Sequence, residues 1–461
     1  MTAHQSKGRP ADDGEALVAS AVRQATRRLL PLLVLLYFVN YLDRVNIAFA
    51  GPNGMNSELG LTSTLFGVAA GVFFAGYLLL EVPSNLALHR FGARRWIARI
   101  LITWGVVATA MAYVPDPTTL IVLRFLLGVA EAGFFPGIIL YLTYWFPAAH
   151  RTRVTALFLT ALPVSTALGA VLSTHIIEAA DGLFGLSGWR VMFLLEGVPA
   201  VVLAVVTWCC LTEGPAQASW LSEPEREALG RRLRAEREQS AASGPGSVRK
   251  ALTSGRVLTL AGVYFGATYG LYALSFFLPT IVDGFQEQFR TEYSLVERGL
   301  INAVPFAVAA VAMLLWSRVR LSDTVRVALP AALGGLAITV TLYLSNPFLA
   351  TAAVTVCACG VLCSIVGFWA LPTSHLAGAA AAAGIGLINS LGNVSGFAAP
   401  YISGFLLDTT GTNRPALWAV GICMVLAALA TVLLARSSRR RDPPAQPDGA
   451  PRPTHTPVSS R

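Results

Sequence analysis

The sequence predicts an all-α integral membrane protein of twelve transmembrane helices, arranged as two bundles of six. Three observations carry that prediction. First, hydrophobic residues make up 54% of the 461-residue chain and charged residues only 13%, against about 25% charged in ordinary globular chains. Mean hydropathy is +0.60. Such a chain lacks the polar residues to cover several water-soluble globules, and it is too apolar to be disordered. With 6 Cys in all, it is not a disulfide scaffold. Second, the apolar residues gather into twelve runs, each near the roughly 20 residues needed to cross a bilayer core of about 30 Å. Third, the Lys and Arg residues fall almost entirely on one side of those runs.

A polar segment, 1–28, precedes the first run at 29–50. That run is too long for a cleaved leader, contains Asp43 and Arg44, and lacks a small-residue cleavage site. Runs at 64–88, 96–114, 119–144, 154–179 and 189–211 complete a first six-helix bundle, 29–211. The longest polar interruption follows, at 212–255. Within it, Ser222-Glu-Pro-Glu225 has the form of a capping box opening a charged helix through about Gln239. Ser243-Gly-Pro-Gly-Ser247 then reads as flexible linker. Runs at 256–283, 296–316, 325–344, 347–371, 379–406 and 415–435 form a second bundle, 256–435. The Pro-rich, basic end, 436–461, reads as a disordered tail.

The charges set the orientation. With both tails placed in the cytoplasm, 27 of the 34 Lys and Arg lie in cytoplasmic segments. Only Arg290 and Arg414 lie in the opposite loops, a strong positive-inside bias. It accounts for the net charge of +9 without nucleic acid. The basic rim faces anionic lipid. An even number of spans puts both termini on the cytoplasmic side of a bacterial inner membrane.

Charges inside spans are costly and point to function. The first six runs hold Asp43, Arg44, Arg124, Glu131 and Glu196, with Glu81, Glu178 and Arg190 nearer the ends. The last six hold almost none in their interiors; Asp283 and Asp408 sit at ends. Arg124 and Glu131 are seven residues apart, nearly two helical turns, and share one face at different depths. Asp43 and Arg44 point about 100° apart. One fixed cation and one titratable carboxylate on each of two helices suits proton-coupled anion binding; the alternative is a pair of structural ion pairs. An arginine fork grips a carboxylate through two hydrogen bonds and stays charged. A carboxylate beside it in a dry cavity responds to whether that arginine is occupied. The second half offers neutral groups instead: Tyr269, Tyr272, Asn302, Trp369, Thr373, Ser374, Asn389 and Asn393. Asn389 and Asn393 are four apart, so they share a face and suit hydroxyl recognition.

Four stretches carry a family resemblance over nearly the whole chain. They are Asn40-Tyr-Leu-Asp-Arg-Val-Asn46; Val82-Pro-Ser-Asn-Leu86 running into Arg90-Phe-Gly-Ala-Arg-Arg95; Arg124-Phe-Leu-Leu-Gly-Val-Ala-Glu-Ala-Gly133 with Pro136 and Trp145-Phe-Pro147; and Gly384-Ile-Gly-Leu-Ile-Asn-Ser-Leu-Gly-Asn393 ending at Pro400. On these the chain resembles the anion:cation symporter family of the major facilitator superfamily, in particular bacterial sugar-acid, tartrate and phthalate permeases. The resemblance implies the major facilitator fold and proton-coupled uptake of organic anions by alternating access. It implies that Arg44 and Arg124 hold the substrate carboxylate, that Asp43 and Glu131 are the proton-coupled carboxylates, and that Tyr41, Tyr77, Trp369 and Asn393 line the central cavity. It assigns Arg90, Gly92, Arg94 and Arg95 to one gating loop and Asp323 to the loop related to it. His89 stands where the superfamily usually has an aspartate. The fifth run lacks the glutamine of aldonate-type members around Leu162-Pro163. It also lacks the repeated glycines of drug–proton antiporters, which favours uptake over efflux.

The expectation is therefore a monomeric transporter, not an enzyme. Its partners are a small organic anion, a sugar acid or a hydroxy acid such as a tartrate-like substrate, together with protons and lipid, and no nucleic acid. The proton serves as coupling ion, with no cofactor and no metal. An anion exchanger would use the same arginines. A membrane-embedded sensor or enzyme is disfavoured by the lack of a signalling domain, a nucleophile–base set or a metal-ligand spacing.

Overall fold

The computed structural model describes residues 10–242, 253–289, 293–369, 371 and 378–441. Among them there is no strand. The first run is carried by α1 (Pro10–Val45), α2 (Ile47–Ala50) and α3 (Asn56–Leu59), the second by α4 (Ser63–Phe91) and the third by α5 (Ala93–Ala110). The fourth is split into α6 (Pro117–Glu131) and α7 (Phe134–Trp145), the fifth into α8 (Ala148–Leu159) and α9 (Ala161–Ala179); α10 (Gly188–Cys210) is the sixth. The central interval contains α11 (Glu223–Ala242). The second half comprises α12 (Gly255–Phe289), α13 (Leu295–Trp316), α14 (Asp323–Val340) and α15 (Pro347–Phe368), then α16 (Gly378–Asn393), α17 (Ser395–Thr410) and α18 (Arg414–Arg441).

Eleven of the runs form helices long and apolar enough to cross a bilayer. The eleventh run, 379–406, is divided at Val394 into two helices of 16 residues each, so neither alone has the length. Local chemistry explains several helix starts. Asp116 accepts from the Thr119 N–H at 3.0 Å, and Pro117 follows it at the first helical position. Ser294 and Glu297 close a full capping box at α13. Large apolar side chains such as Leu79, Val82 and Leu433 stay more than 60% exposed on the outside, as a lipid-facing surface requires.

Small residues bring backbones into contact. A Cβ at Gly128 would collide with the Phe73 carbonyl, so α6 lies directly on α4. The two halves meet along a second such seam. A Cβ at Gly67 would strike the Pro400 carbonyl, and one at Gly404 the Ser63 carbonyl. At the end of that seam, away from the chain termini, Asp408 accepts from the Ser63 N–H at 3.0 Å, the Thr64 N–H at 2.7 Å and the Thr64 hydroxyl at 2.6 Å. The α17 carboxylate thereby caps the N-terminus of α4 in the other half.

The tails differ from the sequence expectation. Residues 1–28 read as a polar tail, yet the chain is helical from Pro10, with Ala21, Val22 and Ala25 buried. Ser20 and Gln24 each donate to Glu225 of α11 at 2.7 Å. Glu225 also accepts from the Ser222 N–H at 3.0 Å, half of the expected capping box. Arg28 lies 5.5 Å from the Trp220 ring, which stacks on Trp145 at 5.3 Å. Every third or fourth tail residue is small or apolar, and that stripe gives the helix something to bury. At the other end, α18 continues to Arg441, past the expected boundary at 435; 442–461 lie outside the described residues, as do Thr373 and Ser374.

Candidate functional site

Four ionisable groups meet in the middle of the first half. Asp43, Arg124 and Glu131 are 0% exposed and Arg44 is 7% exposed. Arg44 Nη2 donates to Glu131 Oε2 at 3.0 Å. Asn40 Nδ2 donates to the same oxygen at 2.8 Å. Asn40 and Arg44 are four residues apart, so α1 presents both on one face. Asp43 points elsewhere and accepts from Trp104 Nε1 of α5 at 2.6 Å.

The expectation of one arginine and one carboxylate per helix holds as composition. The contact that forms, however, crosses between helices: Arg44 of α1 takes Glu131 of α6. Arg124 takes no carboxylate among the described residues. Its Nε donates to the Ala69 carbonyl at 3.2 Å, and its Nη2 lies 3.4 Å from both the Arg44 and Ala70 carbonyls. Its Nη1 has no partner. The glycine contact between α4 and α6 makes those carbonyls reachable. Phe73 lies between the two arginines, 4.8 Å from Arg44 and 5.3 Å from Arg124. Tyr77 and Tyr41 flank Arg44 at 5.3 and 5.9 Å. Cations over aromatic faces are stabilised electrostatically, more so when desolvated.

Backbone breaks fall beside these groups. The helix ends at Glu131 because Ala132 leaves helical geometry (ψ 130°) and Gly133 takes φ 82°. That φ favours glycine, and a Cβ there would also collide with Ser84. Glu131 thus sits on the last turn of a half-helix, whose negative end favours the Arg44 cation. Interruptions at Asn46, beside Asp43 and Arg44, and at Val394, beside Asn393, follow the same pattern. Discontinuous helices of this kind mark transporter binding sites.

The second half contributes neutral groups. The Tyr272 hydroxyl donates to Asn393 Oδ1 at 3.4 Å, and the Tyr272 ring packs on Phe74 of α4 at 4.6 Å. Trp369 packs on Tyr264 at 5.0 Å. Asn389 Nδ2 donates across the halves to Glu81 Oε1 at 3.1 Å, so its amide is engaged by a carboxylate. Asn302 donates to the Arg298 carbonyl of its own helix at 2.8 Å. Tyr41, Tyr77, Arg44 and Arg124 therefore cluster around Phe73, Asn393 joins Tyr272, and Trp369 stands with Tyr264.

The loop residues are arranged differently from the expectation. Gly92 adopts φ 90°, and Glu213, from the segment after α10, accepts from the Ala93 and Arg94 N–H groups at 2.8 and 3.2 Å. A carboxylate does cap this loop, but it comes from Glu213 rather than from the place held by His89. Arg90 lies over Phe91 and Arg94 over Trp208, and Arg95 is exposed. Asp323 stands in the first turn of α14 and makes no ion pair with these arginines among the described residues.

Sequence reasoning did not single out Asn40, Phe73 or Trp104. Asn40 lay inside a quoted motif, four residues from Arg44, and that spacing was a usable signal. Phe73 and Trp104 sit in apolar runs with no polar pattern to reveal them.

A membrane-spanning helical fold with a sealed ionic centre between broken helices is that of a secondary transporter. Residues 33–400 match the Major Facilitator Superfamily model, and the chain belongs to that family of transporters. It is 46% identical over 428 residues to a protein of Agrobacterium vitis named "Putative tartrate transporter", covering 92% of this chain and 93% of that one. It is 37% identical over 419 residues to a quinolone resistance transporter of Acinetobacter baumannii, covering 90% and 94%. Among solved structures, a bacterial homolog of the human lysosomal transporter Spinster, inward-facing and unoccupied, superposes with a TM-score of 0.71 at 17% identity, covering 91% of this chain and 99% of that one. That likeness concerns the fold.

Proposed function

We propose that the chain is a bacterial inner-membrane symporter that takes up an organic carboxylate of the tartrate or sugar-acid type together with protons, by alternating access. The 46% identity to the Agrobacterium vitis protein supports this substrate class. The observation that carries the reading is the unequal state of the two arginines. Among the described residues Arg124 is fully buried with no carboxylate partner and an unpartnered Nη1, while Arg44 beside it holds Glu131.

A buried cation without an anion is a seat for one. A substrate carboxylate entering at Phe73 reaches Arg124 and competes with Glu131 for Arg44. Once released, Glu131 is a desolvated carboxylate without its cation, and it takes up a proton. Substrate and proton then cross together. When the substrate leaves, Arg44 recovers Glu131 and the proton is expelled. Asp43, held by Trp104, is the second proton-carrying group. Tyr272 and Asn393 face the substrate's hydroxyls from the other half, with Tyr41, Tyr77 and Trp369 as aromatic walls. The basic rim holds both termini in the cytoplasm, and the unit is a monomer.

The test is uptake of labelled tartrate by proteoliposomes with acid outside and no internal substrate. Accumulation above equilibrium is expected. Uptake only with internal tartrate present would replace symport with exchange, which the same arginines could serve. Accumulation of a quinolone but not tartrate would turn the reading toward the drug relative.

A further inference from the structure

The lipid-facing stripes of α4 and α5 run into arginines at the turn that joins the two helices. On α4, Val82 and Leu86, 66% and 68% exposed, lead to Arg90 one turn further on. On α5, Val106 and Ile102, 56% and 46% exposed, share a face with Arg99 and Arg95. Gly92 turns the chain between the helices with φ 90°. Across that turn the side chains form a continuous stack. The Arg90 guanidinium lies 5.5 Å from the Phe91 ring, Phe91 stacks on Trp96 at 5.6 Å and 16°, and Arg99 lies 4.0 Å over Trp96. Trp96 Nε1 donates to Ser84 Oγ at 3.0 Å, which fixes the indole. Phe91 is 51% exposed. Aromatic rings are favoured where a bilayer's headgroups meet its acyl chains.

The two arginines on the α5 stripe lack a protein counter-ion. Arg99 is six residues into α5 from Ala93, about 9 Å of rise. Its stem therefore lies against acyl chains while its head reaches back toward the headgroups. Its Nε is buried and has no hydrogen-bond partner. Among the described residues, no acidic side chain lies at ion-pair distance from Arg95 or Arg99. Glu213, the acid at this turn, is engaged by the Ala93 and Arg94 N–H groups, and Arg94 is drawn aside to Trp208 at 5.4 Å. Arg95 and Arg99 stand one turn apart, a spacing at which like charges repel. At a lipid boundary water screens that repulsion poorly. An anion held between the two heads turns it into attraction.

We propose that Arg95 and Arg99 clamp the phosphodiester of an anionic phospholipid, with the Phe91–Trp96 stack as its aromatic wall. Guanidinium forks match phosphate oxygens bidentately. The lipid's acyl chains run along the exposed Ile102 and Val106, which a free phosphate would leave bare. A zwitterionic lipid brings an ammonium that the arginines repel. The site lies on the outer surface of the first half and is independent of the symport reading.

Purified protein in detergent micelles, titrated with phosphatidylglycerol and followed by thermal shift, tests it. R99Q is expected to weaken binding roughly tenfold or more, the worth of a hydrogen-bonded charge pair. R99K should recover it only in part, because the fork is gone. R318Q removes an exposed arginine of the other half and should leave binding within about twofold. Phosphatidylethanolamine and inorganic phosphate are the other arms, and neither should reproduce the shift. The wild-type chain gives a second reading that needs no variant: phosphatidylglycerol should shield Arg95 and Arg99 from phenylglyoxal, read by peptide mass spectrometry, and leave Arg318 reactive. Equal losses in R99Q and R318Q, or equal labelling of Arg99 with and without lipid, overturn the site. A matching shift from phosphatidylethanolamine or from inorganic phosphate overturns the anionic lipid as its occupant.

Discussion

The two halves of the molecule solve different problems at the same depth. In the first lies every buried charge that the described residues place in the membrane interior: Asp43, Arg44, Glu81, Arg124, Glu131 and Glu196. In the second, the buried polar residues within the described spans are all neutral, among them Thr268, Ser275, Asn302 and Ser395. At the depth of the site its contacts to the partner half are amide or aromatic, as at Asn389–Glu81 and Tyr272–Phe74, and its one carboxylate contact described above, Asp408 with Ser63 and Thr64, lies at the end of the seam. On the proposed symport reading, the difference teaches that charge recognition and proton exchange need side chains in contact, because a proton moves only over hydrogen-bond distances. Shape recognition does not, so on the same reading it can be supplied from a half that moves relative to the first.

This contrast breaks first at Arg124. Arg124→Ala should weaken tartrate binding on the order of 100-fold or more, since two hydrogen bonds to a charged group are lost at about 1.5–3 kcal/mol each; a thermal-shift titration measures it. Arg124→Lys should recover little, because a point charge lacks the fork. Next comes Glu131→Gln. Binding and counterflow should persist while acid-driven accumulation disappears; full accumulation would show that Glu131 is not a coupling group. Asn40→Ala should shift the external-pH midpoint of uptake by loosening Glu131, with a change in affinity of about tenfold or less.

In the second half the effects shrink. Asn393→Ala should raise the KM for tartrate about 2- to 10-fold, the worth of one neutral hydrogen bond, and leave the pH profile unmoved. A moved profile would extend proton chemistry into the neutral half. The smallest effect lies outside the membrane. Hydroxyl donation from Ser20, with help from Ser222 and Gln24, holds the Glu225 carboxyl below the usual carboxylate range. A depressed value in the folded state adds stability above the unfolded value of about 4.3 and forfeits it as pH falls through the folded one. Glu225→Gln should therefore lower Tm slightly at neutral pH and flatten its decline toward acid, with transport unchanged.

The spans and the charged residues were legible because hydropathy and charge are properties of composition. The breaks at Ala132–Gly133 and Val394 were not. An averaging window sees the same apolar run whether the helix continues or turns, and only Gly133 carried a local hint. Pairing was equally hidden. That Arg44 takes Glu131, that Trp104 takes Asp43, and that Glu213 caps the loop beside His89 are decided by packing between residues distant in sequence. Asn389 shows the limit from the other side. Its spacing from Asn393 was legible, but its partner is Glu81 rather than open cavity.

The docking of α11 also changes what connects the halves. With Glu225 fastened to Ser20 and Gln24, and Trp220 sandwiched near Arg28 and Trp145, α11 travels with the first half as part of its body. The leash to the second half then begins only after Ala242 and ends at Gly255. Thirteen peptide links at about 3.5 Å each reach at most roughly 45 Å. That bound follows from the covalent chain alone and is ample for rocking by a few ångströms. Severing the leash, with both pieces made in one cell, leaves the seam at Gly67 and Gly404 to find its own register.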